Sequence, residues 1–166
     1  MLRRSYLVKL AKKVASCPHL LSSSESSPLR SSCWCCTSCC ALIATKRVGI
    51  FGGTFDPIHN GHLHLINEIA RAGIFSTLII VPSGNPWQKK PQASAEDRLE
   101  MTRLALSGLT LENCEVLISD FEVVSSEPSY AIKTVMHLQE KLSGAAFTWI
   151  IGSDAASSLN TWHQVF

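Results

Sequence analysis

Glycine is absent from the first 46 residues of this 166-residue chain, and acidic residues nearly so: Glu25 stands there against seven Lys or Arg. After residue 46 the balance inverts to eight bases and twelve acids, so the formal net charge of +2 hides a tail near +6 and a remainder near −4. An excess of bases is therefore missing from the part that reads as folded, and no nucleic-acid partner is expected. Cysteine is almost absent beyond residue 40, where Cys114 alone remains. That excludes a disulfide scaffold and suits a small reduced core residue of a cytosolic domain. Long apolar runs are lacking too. The stretch from Cys33 to Ala44 is interrupted by Thr37 and Ser38 and falls short of the ~20 residues a spanning helix needs, so no membrane partner is expected. The chain as a whole is 46% hydrophobic and 17% charged, the balance of a globular chain with room for one core.

Two stretches of different character divide the chain: residues 1–46, a basic Ser/Cys-rich tail, and residues 47–166, where short β-branched runs alternate with amphipathic segments. The apolar runs 47–51, 77–81, 114–119 and 147–151 predict strands, the second closed by Pro82. Between them, residues 61–72 predict a helix with Leu63, Ile66, Ile69 and Ala70 on one face and Gly73 as its left-handed stop. Ser94 and Asp97 form an S-x-x-D box opening a second helix, whose apolar residues are Leu99, Met101, Leu104 and Leu106. Ser129 is placed to cap a third through Lys141, with Ile132, Val135, Met136 and Leu142 inward. Asp154 opens a last turn or two. Wholly apolar strands alternating with helices predict an α/β fold, a Rossmann-like doubly wound parallel sheet covered on both faces. Ligands of such sheets sit beyond the carboxyl ends of the strands, which directs attention to residues 52–60, 82–93, 120–129 and 152–162.

Neither G-x-G-x-x-G nor a Walker A loop occurs, which removes the dehydrogenase and P-loop readings. The loop after the first strand reads Gly52-Gly53-Thr54-Phe55-Asp56-Pro57-Ile58-His59-Asn60-Gly61-His62. Its glycines let a ligand approach the backbone, and free N–H groups at a helix start attract anions. His59 and His62 bracket that start, with Gly61 leaving room between them, so both imidazoles can donate to phosphate oxygens. An incidental metal site is the other reading of these histidines, but His62 and His64 lie two apart on a helix and point in different directions.

This loop resembles the G-G-T-F-D-P-I-H-x-G-H signature of the HxGH nucleotidyltransferase superfamily. Three further segments are similar to the nicotinate-mononucleotide adenylyltransferases within it: Val81 to Lys89, Pro128 to Thr134, and Gly152-Ser153-Asp154 followed by Trp162. Pantetheine-phosphate adenylyltransferases and cytidylyltransferases share the histidine loop but not this combination. The resemblance implies adenylyl transfer from ATP to nicotinate mononucleotide, with Mg²⁺ carried on the ATP phosphates and no metal-binding side chains. It implies that His59, His62 and Lys89 act in catalysis; that Gly52, Gly53, Thr54, Phe55, Gly61, Gly152 and Asp154 bind ATP; and that Ser129, Tyr130, Ala131, Trp162 and His163 bind the mononucleotide. Alternatives stand beside these roles: Lys89 as a solvated loop cation, Trp162 as a core residue, Asp154 as a plain helix cap. Two positions depart from the family's S-Y-T-x-D-T, with Ala131 for Thr and Lys133 for Asp. A backbone N–H at Ala131 still suffices for a pyridine carboxylate.

The family pattern also contains a last strand and helix with an I-S-S-T-x-I-R motif, which has no counterpart after Trp162. The expectation is a domain incomplete at its C-terminus, either short of half its phosphate clamp or a non-catalytic remnant. The tail has three readings: a transit peptide, a cysteine cluster (Cys33, Cys35, Cys36, Cys39, Cys40) able to bind zinc, or residues ahead of the native start. A cytoplasmic location is expected, or an organellar one if the tail directs import.

Overall fold

The computed structural model describes residues 46–109, 111, 114–157 and 159–162. The tail, its cysteine cluster and His163 lie outside them. Four strands, β1 (Arg47–Gly53), β2 (Thr77–Pro82), β3 (Glu115–Ile118) and β4 (Ala146–Ile150), alternate with helices α1 (Asn60–Arg71), α2 (Ala95–Ser107), α3 (Phe121–Val124), α4 (Ala131–Lys141) and α5 (Ser153–Ser157), before a 3₁₀ turn at Leu159–Thr161.

The strands form one parallel sheet in the order β3-β2-β1-β4. From β1 the chain steps outward through β2 to β3, then returns to lay β4 on the other side of β1. The order therefore reverses between β1 and β4, which is the topological switch point of a Rossmann-like sheet and opens a crevice beyond their carboxyl ends. Every residue of β2 is buried, as a central strand covered on both faces requires. β3 alternates exposed with half-buried residues, as an edge strand does.

Alternation divides the core in two. Phe51, Leu78 and Ile80 pack with Ile66 and Ile69 of α1 and with Cys114, while Val48, Ile50, Ile79 and Val81 pack with Leu138 of α4, Trp149 and Ile151. Each fully buried Ile, Val or Leu contributes roughly 1.5–3 kcal/mol. Cys114 is a buried free thiol, and burial pushes its pKa up with help from neighbouring Glu115. Among the described residues, no helix is long and apolar enough to cross a membrane.

α2 buries Arg98 and Thr102 beside Leu99 and leaves Leu104 66% exposed. Two expectations need correction. In α4 Met136 points outward and Thr134 inward with Leu138, because Thr134 meets a buried carboxylate from α3, a helix the sequence patterning does not reveal. Ser129 does not cap α4, whose N-cap is Tyr130, a residue that makes no side-chain capping bond. Its hydroxyl instead accepts from the Asn85 N–H at 3.1 Å. The Ser94 cap is present, but half as a box: Ser94 Oγ accepts from the Asp97 N–H at 3.0 Å and donates to that residue's carboxylate at 2.8 Å.

Candidate active site

His59 and His62 do more than bracket α1; they start it. His59 is the N-cap in extended backbone, its Nδ1 accepting from the Gly61 N–H at 3.2 Å, while its own N–H donates to His62 Nδ1 at 3.3 Å. The result is a reciprocal capping box built from two imidazoles. An Nδ1 that accepts cannot carry the proton, so each neutral ring holds its N–H on Nε2. The rings stack at 3.8 Å between centroids. Gly61 thus leaves no gap between them: a Cβ there would lie 3.1 Å from the His59 ring. His62 is also held edge-on by Phe55 at 5.1 Å.

The two glycines ahead of this pair serve the protein's own rings. A Cβ on Gly52 would stand 2.7 Å from the Trp149 indole, and one on Gly53 would meet the Phe55 ring at the same distance. Phe55 is 2% exposed and has φ of +48°. A bulky residue in the left-handed region costs on the order of 1–3 kcal/mol, a strain that clusters at functional loops. Its side chain faces the core, so a ligand can reach only its backbone. Thr54 lies half-buried next to it.

Behind this loop sits a residue that the sequence patterning passes over. Arg98 is 0% exposed, and its guanidinium binds four carbonyls: Nη1 donates to Thr54 and Ser83 at 2.6 Å each, Nη2 to Gly84 at 2.9 Å, and Nε to Ala93 at 3.3 Å. Burial lowers its pKa, while Asp56 and Glu96 oppose that shift. Asp56, joined to Pro57 by a cis peptide bond, accepts in turn from the Gln92 and Ala93 N–H groups. The available signal was a cation placed directly between the Ser94 cap and the apolar residue Leu99 on a helix.

The loop after β2 carries Lys89, which is exposed. Next to it, Gln88 Nε2 donates to Thr161 Oγ1 at 3.0 Å, spanning from the β2 loop to the segment after β4. Trp162 follows, half-buried, edge-on to Trp149 at 6.4 Å and packed against the core that holds Leu138. Its Nε1–H is buried with no partner among the described residues. Gly152 is half-buried ahead of α5, and Asp154 belongs to α5 by its backbone, its side chain lying outside the described part.

Ser129, Tyr130 and Ala131 form the start of α4 on the other side of the β2 loop. Asn85 and Ser129 bind each other twice, through the hydroxyl contact and Ser129 N–H to Asn85 O at 3.0 Å. Beneath them Glu122 is buried, its carboxylate hydrogen-bonded by Thr134. Burial raises its pKa against the opposing hydrogen bonds from Thr134 and Ser129. Lys133 pairs with Glu127 and lies 5.7 Å from the Tyr130 ring centre.

Residues 50–166 match the sequence model of the cytidylyltransferase-like family. A probable nicotinate-nucleotide adenylyltransferase of Neisseria meningitidis serogroup C is 39% identical over 120 residues, which is 72% of this chain and 59% of that protein. One from Leifsonia xyli is 38% identical over 119 residues, 72% and 58% of the respective lengths. Among solved structures, Plasmodium falciparum nicotinic acid mononucleotide adenylyltransferase complexed with NaAD superposes with a TM-score of 0.64 at 20% identity, over 72% of this chain and 58% of that one. The same enzyme complexed with APC gives 0.60 at 19% identity over 72% and 57%. The chain thus spans 59% of the Neisseria relative, and the solved structures attest the fold.

Proposed function

The chain belongs to the cytidylyltransferase-like family, and from that premise we propose that residues 47–166 form a nucleotidyltransferase domain that serves adenylyl transfer from ATP to nicotinate mononucleotide. The observation that carries this reading is the paired-histidine capping box at the start of α1, set in the switch-point crevice. The relatives named for the same activity support it. In the reaction an oxygen of the mononucleotide's 5′-phosphate attacks the α-phosphorus of ATP in line. The new P–O bond forms as the bond to the bridging oxygen breaks, and pyrophosphate leaves with that electron pair, giving deamido-NAD.

No side chain serves as nucleophile in this scheme. The protein's task is to align two anions and to spread the charge that develops between them. His59 and His62 donate from Nε2, the nitrogen that the capping box leaves protonated. Lys89 closes from the β2 loop, and the first N–H groups of α1 add their partial charge. Gly52, Gly53, Thr54, Phe55 and Gly61 then offer backbone to ATP, while Gly152 and Asp154 border its nucleoside. Ser129, Tyr130, Ala131, Trp162 and His163 receive the mononucleotide. Mg²⁺ enters as an ion carried on the triphosphate. Among the described residues no three His, Cys, Asp or Glu side chains gather into a metal-holding group. We place the protein in the cytoplasm.

Pyrophosphate release with ATP and nicotinate mononucleotide tests the reading. His62→Ala is expected to lower turnover by ~10²-fold or more, the scale of losing one oriented donor. It also removes half the capping box, so a loss of about 1 kcal/mol in stability should accompany it. Unchanged turnover would refute the assignment, and faster transfer to nicotinamide mononucleotide or pantetheine phosphate would redirect it.

A further inference from the structure

We infer that Arg98 is a positioning residue for nucleotide binding: its buried guanidinium fixes the loop after β2 to the histidine loop, and so places Lys89 against the ATP phosphates. The inference rests on the adenylyl-transfer reading.

Of the expected ATP-binding residues Arg98 touches only Thr54, from behind at its carbonyl oxygen, and a merely packed residue at this point needs no charge. A thioether or a leucine would fill the space without desolvating a cation. The guanidinium instead satisfies carbonyls from three separate segments, Thr54 after β1, Ser83 and Gly84 after β2, and Ala93 ahead of α2. All of them border the carboxyl end of the sheet. Asp56, in the histidine loop, holds the N–H groups of Gln92 and Ala93. The segment from Ser83 to Ala93 is consequently pinned at both ends to the histidine loop, through Arg98 at one end and through Arg98 and Asp56 at the other. Lys89, exposed, lies in the sequence between the two anchors. A lysine cannot replace this fork, because its three donors leave from one point while the four acceptors are spread around a plane.

The test is a double-mutant cycle on ATP affinity, by equilibrium dialysis with labelled ATP, using the full chain with Arg98→Lys, Lys89→Ala and both together. If Arg98 acts through Lys89, each single change weakens ATP by roughly tenfold, and the double variant binds within about threefold of the weaker single. Multiplying losses near a hundredfold, or an Arg98→Lys protein that melts lower yet binds ATP like wild type, would overturn the inference and leave the functional reading intact. Should Arg98→Lys fail to fold by circular dichroism, Asp56→Asn takes its place in the cycle, with the same two outcomes. Wild-type protein that does not bind ATP overturns the adenylyl-transfer reading, and this inference with it.

Discussion

Adding one methyl group at two glycines should give opposite results. At Gly84 a Cβ would stand 1.8 Å from the Glu122 carbonyl oxygen and 2.6 Å from its carbon. The obstacle is the backbone of α3 and cannot turn aside as a side chain could. Gly84 cannot retreat easily either. Its carbonyl is held by Arg98 at 2.9 Å, and the next residue, Asn85, is bound twice to Ser129. Overpacking costs about 1–3 kcal/mol, and pulling the carbonyl from a buried guanidinium adds a similar amount, so Gly84→Ala should lose roughly 3–5 kcal/mol. At about 2–4 °C per kcal/mol for a chain of this size, the melting midpoint falls by roughly 6–20 °C. Gly108 is the control. It ends α2 with φ of −91°, and a Cβ there meets nothing within 4 Å. Gly108→Ala restricts the unfolded chain without native strain and should gain about 0.4–1 kcal/mol. Thermal melts followed by circular dichroism decide the matter. A Gly84→Ala protein melting within a degree or two of wild type, or equal losses at both sites, would refute the packing argument.

The buried carboxyl of Glu122 should leave a mark on stability against pH. Its folded pKa is raised by burial, so between the ordinary carboxyl value and that raised value the native state holds a proton the unfolded chain has released. Stability therefore falls as pH rises through this window, and the penalty is absent below it. Glu122→Gln should abolish that decline in urea melts; a slope that persists in the variant would mean another group is responsible. Trp162→Ala should weaken nicotinate mononucleotide by roughly 1–3 kcal/mol, the scale of one ring stack, with ATP affinity nearly level. Equal losses for both ligands, measured by titration calorimetry, would assign Trp162 to the core contact with Trp149 alone.

The sheet was legible because β1 and β2 are buried along most of their length and β4 at its carboxyl end, so that all three appear as largely apolar runs, each found within two residues of its bounds. The histidine pair was legible as a local motif, but its geometry was not. Reading a gap where the rings stack at 3.8 Å came from treating Gly61 as empty space when the His59 ring occupies it. Arg98 was illegible for a different reason. It bonds to Thr54, 44 positions away, and no helical period signals a cation whose partners are carbonyls of distant loops. The same holds for Ser129, which looks like a cap until Asn85, also 44 positions off, claims its hydroxyl.

The return of β4 to the far side of β1 has a kinetic consequence. β1 meets β2 over a short span, Val48 against Thr77, whereas β4 joins it only when Phe147 reaches the same Val48. Closing the longer span costs more chain entropy before any contact repays it, and pairings of that kind form slowly. The crevice lies between β1 and β4, so its second wall arrives with the slowest pairing in the sheet. In a refolding experiment, competence to bind a nucleotide would then appear after most secondary structure, at the moment β4 pairs with β1.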